Sequence, residues 1–212
     1  MIYIIMLNGY YINLLYRTDR DLHMKNLIKN NDFFKNIERI DAVKNKNGHI
    51  GCAMSHCKCL IKLLEKNEEC YIILEDDFMI FDQENFNLFI TEFNEIKNNK
   101  DWDLLTLTPR GKIIECDHIK NFNKIKDTQT TSGYIVKHSF IKKLLNIFCL
   151  SLGHLKNDFD INKWAIDQSW KILQEKYNFI YFNKIFGGQL PSYSDIENKY
   201  CDNTHYFKIQ KS

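Results

Sequence analysis

Residues 70–78 read Cys70-Tyr71-Ile72-Ile73-Leu74-Glu75-Asp76-Asp77-Phe78. An apolar run of strand length, rich in Tyr and Ile, passes directly into three carboxylates. This is the pattern of a strand buried on both faces. Three adjacent carboxylates repel one another unless a cation lies among them. In open α/β sheets, ligands bind beyond the carboxyl ends of the strands. The stretch therefore predicts a buried strand that delivers acidic groups to a divalent ion. Carboxylate oxygens select a hard cation, Mn²⁺ or Mg²⁺, which keeps positions free for phosphate and water.

Two other patterns spell Asp-x-Asp, Asp101-Trp102-Asp103 and Asp158-Phe159-Asp160. The first precedes its strand and so belongs to the wrong edge of a sheet. The second stands before a helix, where Asp caps the N-terminus. Neither competes with 75–77. The chain contains no Walker-type loop and no Gly-x-Gly-x-x-Gly, so a dinucleotide-binding unit is not expected.

At 212 residues, with 44% hydrophobic residues and only 2 Pro and 8 Gly, the chain reads as one domain spanning 1–212. A net charge of +2 gives no footprint for nucleic acid or a polybasic membrane anchor. Residues 1–7 are apolar but lack a basic leader, and they are far too short for a transmembrane segment. The 7 Cys are irregularly spaced, which suits reduced thiols and a cytoplasmic chain. Cys52, Cys57 and Cys59 do not form Cys-x-x-Cys pairs and read as buried helix cysteines rather than a zinc site.

Alternating strand and helix signals run along the chain and indicate an α/β fold. Strands are expected at 1–7 and 10–15, joined as a hairpin through Asn8-Gly9. A helix follows over 21–30 and a strand over 37–43. The next helix, 51–65, carries Ala53, Cys57, Leu60, Ile61 and Leu64 on one face, with Ser55 and His56 in its early turns. After the acidic strand come a helix at 86–96, strands at 104–108 and 130–136, and a helix at 139–149. A loop is expected over 150–162, a helix over 166–177 and an aromatic strand over 179–182. Residues 112–126 give no clear signal.

Several motifs taken together resemble glycosyltransferase family 25, which includes lipopolysaccharide glycosyltransferases and collagen galactosyltransferase domains. Tyr11-Ile12-Asn13-Leu14 with Arg17 and Arg20 is similar to the family's Ile-Asn-Leu and its spaced arginines. Arg39-Ile40-Asp41-Ala42-Val43 is similar to its short strand ending at an Ala. Gly51-Cys52-Ala53-Met54-Ser55-His56 is close to Gly-Cys-x-x-Ser-His, and Leu74-Glu75-Asp76-Asp77 matches Leu-Glu-Asp-Asp. Trp102-Asp103, Gly133-Tyr134-Ile135-Val136, Ile166-Asp167 and Ser194-Asp195-Ile196 follow in the family's order.

The resemblance implies a GT-A type nucleotide-sugar-binding fold with a central mixed, mainly parallel sheet. It implies a hexosyltransferase that moves galactose or glucose from a UDP-sugar donor, with inversion, to a glycan or hydroxylated protein acceptor. Asp77 is then the leading ligand for Mn²⁺ (or Mg²⁺), with Glu75 assisting and Asp76 beside it. Asn13, Arg17, Arg20, Asp41, Ser55, His56 and Asp195 become donor-binding candidates. Asp167 becomes the general base, since an inverting transfer needs a carboxylate to take the acceptor's proton. Tyr134 is a possible lining residue and His205 a possible extra ligand. Two alternatives use the same residues: a catalytically silent nucleotide- or carbohydrate-binding module, and a metal-dependent phosphohydrolase.

Overall fold

The computed structural model of the chain describes residues 6–207. Its first half comprises β1 (Gly9–Asn13), α1 (Thr18–Asn30), β2 (Ile37–Asp41), α2 (Gly48–Leu64), β3 (Cys70–Glu75), β4 (Phe78–Ile80) and α3 (Gln83–Ile96). There follow β5 (Leu104–Thr106), β6 (Arg110–Ile119), β7 (Phe122–Gln129), β8 (Gly133–Lys137) and α4 (His138–Asn157). Three one-turn helices, α5 (Ile161–Trp164), α6 (Ile166–Ser169) and α7 (Lys171–Gln174), lead into β9 (Phe179–Phe182). The late strands are β10 (Gly187–Gln189), β11 (Ser192–Ser194) and β12 (Lys199–Cys201).

Eight strands form one sheet in the order β2-β1-β3-β8-β5-β9-β7-β6. Pairings β1/β2, β1/β3 and β5/β9 are parallel, whereas β8 and β7 run against their neighbours. Six of the eight strands in this sheet, all but β8 and β7, thus point the same way, and the sheet is mixed as expected. The carboxyl ends of β1, β2 and β3 lie side by side, with Ile12 opposite both Ile40 and Glu75.

β3 is central and fully sandwiched. Tyr71 and Ile73 pack with α2 and α4 on one face, while Cys70, Ile72 and Leu74 pack with α3 on the other. The second face is strongly aromatic. Phe33 meets Phe34, Phe86, Phe89 and Phe93 edge-on at 5.3–6.0 Å between ring centres. Such edge-to-face pairs add about 0.5–1.5 kcal/mol each beyond the area they bury.

The structure corrects several local expectations. Asn8-Gly9 is not a hairpin turn: Gly9 is the first residue of β1 and pairs with Ile37 and Ile72. It is glycine because of close approach, since a Cβ there would lie 1.9 Å from the Ile72 carbonyl oxygen. The strand expected over 1–7 falls, for residues 1–5, outside the described residues. In α2, Ile61 is 51% exposed, and Leu63 and Cys59 take the buried positions instead. α4 runs on through 150–157 because Ser151 and Leu155 continue its buried stripe. The helix expected over 166–177 is broken at Trp170, whose indole donates to the Thr128 carbonyl at 2.8 Å. Residues 110–129 form the β6–β7 hairpin. No helix among the described residues is long and apolar enough to cross a membrane.

Replacing Gly9 by Ala should destabilise the protein by roughly 1–3 kcal/mol, as forced overpacking does. Gly153→Ala, where a Cβ on α4 meets nothing within 4 Å, should stabilise it by about 0.5–1 kcal/mol. Urea unfolding of the two variants checks both signs.

Candidate functional site

Glu75 ends β3, and Asp76 and Asp77 form the turn into β4. Phe78, fully buried, pins that turn: a Cβ on Gly133 would lie 2.7 Å from its ring. The Asp77 carbonyl accepts from Leu190 N at 2.7 Å, which fixes the turn from the other side.

The three carboxylates have different partners. Asp76 is 7% exposed and accepts from Arg20 Nη1 at 2.8 Å and from Asn13 Nδ2 at 2.7 Å. Burial raises its pKa against the opposing charge and hydrogen bond of Arg20. Glu75 Oε1 accepts from the Thr131 hydroxyl at 2.7 Å and lies 3.3 Å from His56 Nε2. Burial pushes Glu75 up, but the hydrogen bonds and charges of His56, Thr131 and Arg20 outweigh it and leave its pKa lowered. Asp77 Oδ2 lies 3.6 Å from Arg20, and its Oδ1 is buried with no hydrogen-bond partner among the described residues. Burial first, then the Glu75 charge, push Asp77 up to about 7 against the pull of Arg20.

A cleft with two lobes of about 200 Å³ each opens onto this acidic end. Both lobes share Arg20, Cys52, Glu75, Asp77 and Gln189. The first lobe adds Tyr16, Val43, Lys44, Ser55, His56, Asp76 and Asp195. The second adds His49, Arg110, Thr130, Thr131 and Asp167. Asp167, on α6, accepts from Thr130 N at 3.3 Å, and burial raises its pKa. The segment 190–203, including β11 and β12, contributes to both lobes.

The candidates separate by position. Asp77, Glu75, Asp76, Arg20, His56, Ser55, Asp167 and Asp195 all line the cleft. Asn13 is buried beneath it and orients Asp76, while its Oδ1 accepts from Arg39 at 3.0 Å. Arg17 is committed elsewhere: it grips Asp19 with Nε and Nη2, and donates to Asp195 and to the Tyr193 carbonyl with Nη1. That grip holds Asp19 at about 2. Asp195 also accepts from the Tyr16 hydroxyl at 2.9 Å. Asp41 does not reach the cleft; its carboxylate is 62% exposed and pairs with Arg39 at 2.7 Å.

Ser55 and His56 lie two turns inside α2, which begins at Gly48, so they are not at a helix N-terminus. Ser55 Oγ donates to the Gly51 carbonyl at 2.7 Å and accepts from Val43 N at 2.8 Å, tying α2 to the loop after β2. Tyr134 is fully buried and reaches His56 Nδ1 at 3.0 Å. His205 packs against Tyr206 and lines neither lobe. Of the other Asp-x-Asp patterns, Asp103 accepts from Asn178 N at 2.8 Å and Asp160 caps α5, both local roles. Sequence reasoning did not single out Thr131 or Gln189, and it read Cys52 as a buried helix cysteine, whereas Cys52 is half-buried and lines both lobes. For Cys52 the signal was present, since it stands one helical turn before His56.

No curated protein sequence matches the chain significantly. Among solved structures, a glycosyltransferase involved in the glycosylation of the major capsid of PBCV-1 superposes with a TM-score of 0.56 at 13% identity, covering 96% of this chain and 100% of that one. A mannose-1-phosphate geranyltransferase from Thermus thermophilus gives 0.45 at 7% identity, covering 84% and 59%. An apo UDP-glucose pyrophosphorylase gives 0.45 at 11%, covering 84% and 68%. The first likeness shows the fold, a GT-A type α/β architecture. The model of glycosyltransferase family 25 (LPS biosynthesis protein) matches residues 46–160, from the start of α2 past the acidic turn to the end of α4. That match covers more than half of the sequence, and the chain belongs to glycosyltransferase family 25.

Proposed function

We propose that this glycosyltransferase moves a hexose, galactose or glucose, from a UDP-sugar to a hydroxyl of a glycan or hydroxylated protein acceptor, with inversion, using Mn²⁺ or Mg²⁺. The observation that carries the reading is Asp77 Oδ1, a buried carboxylate oxygen without a hydrogen-bond partner among the described residues. An orphan oxygen of this kind costs stability unless something binds it. Hard-oxygen chemistry and the neighbouring Glu75 fit a divalent cation there. Asp77 would hold the ion and Glu75 would assist, while Asp76, neutralised by Arg20 and Asn13, supports the turn. When bound, the cation supplies positive charge that offsets the departing diphosphate.

The remaining roles follow from where each side chain stands. Arg20, next to the acidic turn, carries a buried Nε donor with no hydrogen-bond partner among the described residues. It suits a phosphate oxygen. Tyr16, Val43 and Lys44 in the first lobe form the wall for the nucleoside. Asp167 in the second lobe accepts the proton of the acceptor hydroxyl as its oxygen attacks the anomeric carbon. The bond to UDP breaks with its electron pair on the phosphate oxygen. The raised pKa of Asp167 brings it closer to the working range of a general base.

Purified protein should release UDP from UDP-galactose or UDP-glucose in Mn²⁺ and not in chelator. Phosphate release without sugar transfer would instead identify a phosphohydrolase. Asp77→Ala should lose measurable donor binding in calorimetry; unchanged affinity would remove Asp77 from the site. Asp167→Asn should keep donor binding and lose transfer by about 10²–10⁴-fold.

The Asp77 shift also sets a sign for stability. Its folded pKa of about 7 exceeds the ordinary 3.8, so the folded protein binds the extra proton between these values. In chelator, its contribution to stability is complete below about pH 4 and is lost as pH rises through about 7. Asp77→Asn should therefore gain stability relative to wild type over that interval, as read by thermal unfolding at matched ionic strength.

A further inference from the structure

We propose that Cys52, His56 and Glu75 form a second cation position, selective for a borderline ion such as Zn²⁺, distinct from the hard-cation carboxylate Asp77. One ligand atom from each of the three lies within 4.8 Å of the other two. Cys52 and His56 stand four residues apart on α2 and so share a face. Glu75 reaches them from the end of β3.

The spacing already suits a tetrahedral ion. His56 Nε2 and Glu75 Oε1 are 3.3 Å apart. Two ligands bound at about 2.0–2.1 Å around a tetrahedral centre are separated by about 3.4 Å. A thiolate at about 2.3 Å needs a separation of about 3.6 Å from its neighbours, so Cys52 Sγ has at most on the order of 1 Å to travel.

The outer contacts are those of a metal histidine and a metal carboxylate. Tyr134 Oη lies 3.0 Å from His56 Nδ1, and the two rings stack with 17° between their planes. In the metal-free protein His56 Nε2 hydrogen-bonds Glu75; with a metal bound, a proton on Nδ1 donated to Tyr134 frees the Nε2 lone pair for the ion. The Thr131 hydroxyl holds Glu75 Oε1 at 2.7 Å. Cys57 and Cys59 are buried on the core side of α2 and take no part.

Donor chemistry sets the selectivity. Thiolate and imidazole favour Zn²⁺ or Co²⁺ over Mn²⁺ and Mg²⁺. Burial and the nearby Glu75 charge push the Cys52 thiol well up, so binding exchanges its proton for the metal and releases the proton to solvent. Cys52 lines both lobes of the cleft, which leaves the fourth coordination position facing substrate. Glu75 belongs to both positions, so occupancy by Zn²⁺ draws it away from Asp77.

The test is a Co²⁺ titration of reduced, metal-free protein followed by absorbance, with Zn²⁺ as competitor. Wild type should develop a near-ultraviolet thiolate-to-cobalt charge-transfer band, at one equivalent, that Zn²⁺ abolishes and a large excess of Mg²⁺ does not. Cys52→Ser, with an unchanged circular dichroism spectrum, should lose the band. Cys201→Ser, which removes the other cleft thiol, should keep it, and so should Asp77→Asn. Absence of the band in wild type, or its persistence in Cys52→Ser, would overturn the site. Neither result depends on sugar transfer, so failure here is distinguishable from failure of the UDP-release assay.

Discussion

Three consecutive carboxylates at the end of a hydrophobic strand, Asp76 buried and Glu75 and Asp77 half-buried, are the constraint around which the rest of this molecule is built. Like charges this close, withdrawn from water, would each protonate or unfold the turn without compensation. The chain supplies compensation from separate segments. Arg20 comes from α1, Asn13 from β1, His56 from α2 and Thr131 from the approach to β8. Two carboxylates are satisfied in this way. The third, Asp77, lines the cleft and keeps a buried oxygen with no hydrogen-bond partner among the described residues, and this asymmetry is what the proposed cation site rests on.

The acidic turn is held as firmly by apolar contacts as by polar ones. Phe78 follows Asp77 directly and is fully buried with the α3 side of the core. Its ring occupies space that a side chain at position 133 would need. A rigid aromatic anchor next to Asp77 limits how far it can move, and the cation site proposed above would need such placement on rigid elements. The sheet contributes in the same sense. Parallel β2, β1 and β3 bring their carboxyl ends to one edge, so residues distant in sequence converge without long loops.

Where one strong pattern decided the outcome, the sequence could be read. β3 with its acidic end and the α2 helix rest on a buried run and helical spacing that tertiary context had no reason to override. Other features depended on contacts invisible in a single chain of letters. Asn8-Gly9 carries the chemistry of a tight turn, yet Gly9 is needed for close packing on Ile72. Residues 150–162 read as a loop, whereas Ser151 and Leu155 keep α4 on the core as far as Asn157. β7 buries Phe122, Ile125 and Thr128, a spacing of three that conceals its strand character. At the site, residue type was legible and partnership was not. Arg17 and Arg20 look equivalent in sequence, but Asp19 and Asp195 engage the first while the second lies against Asp76 and Asp77.

The segment at 190–203 has a consequence for how the cleft opens. β11 and β12 form a ribbon separate from the main sheet, and residues such as Tyr193 and Tyr200 are well exposed. It is attached to the body by two guanidiniums, Arg17 to Asp195 and Arg20 to the Ser192 hydroxyl and the Tyr193 carbonyl, by the Tyr16 hydroxyl to Asp195, and by Ile196 packed close to Gly48. Part of the hold on this ribbon is therefore electrostatic. Screening by salt weakens its part-exposed ionic contact while leaving the eight-stranded sheet untouched. Ionic strength thereby acts on one wall of the cleft and not on the core.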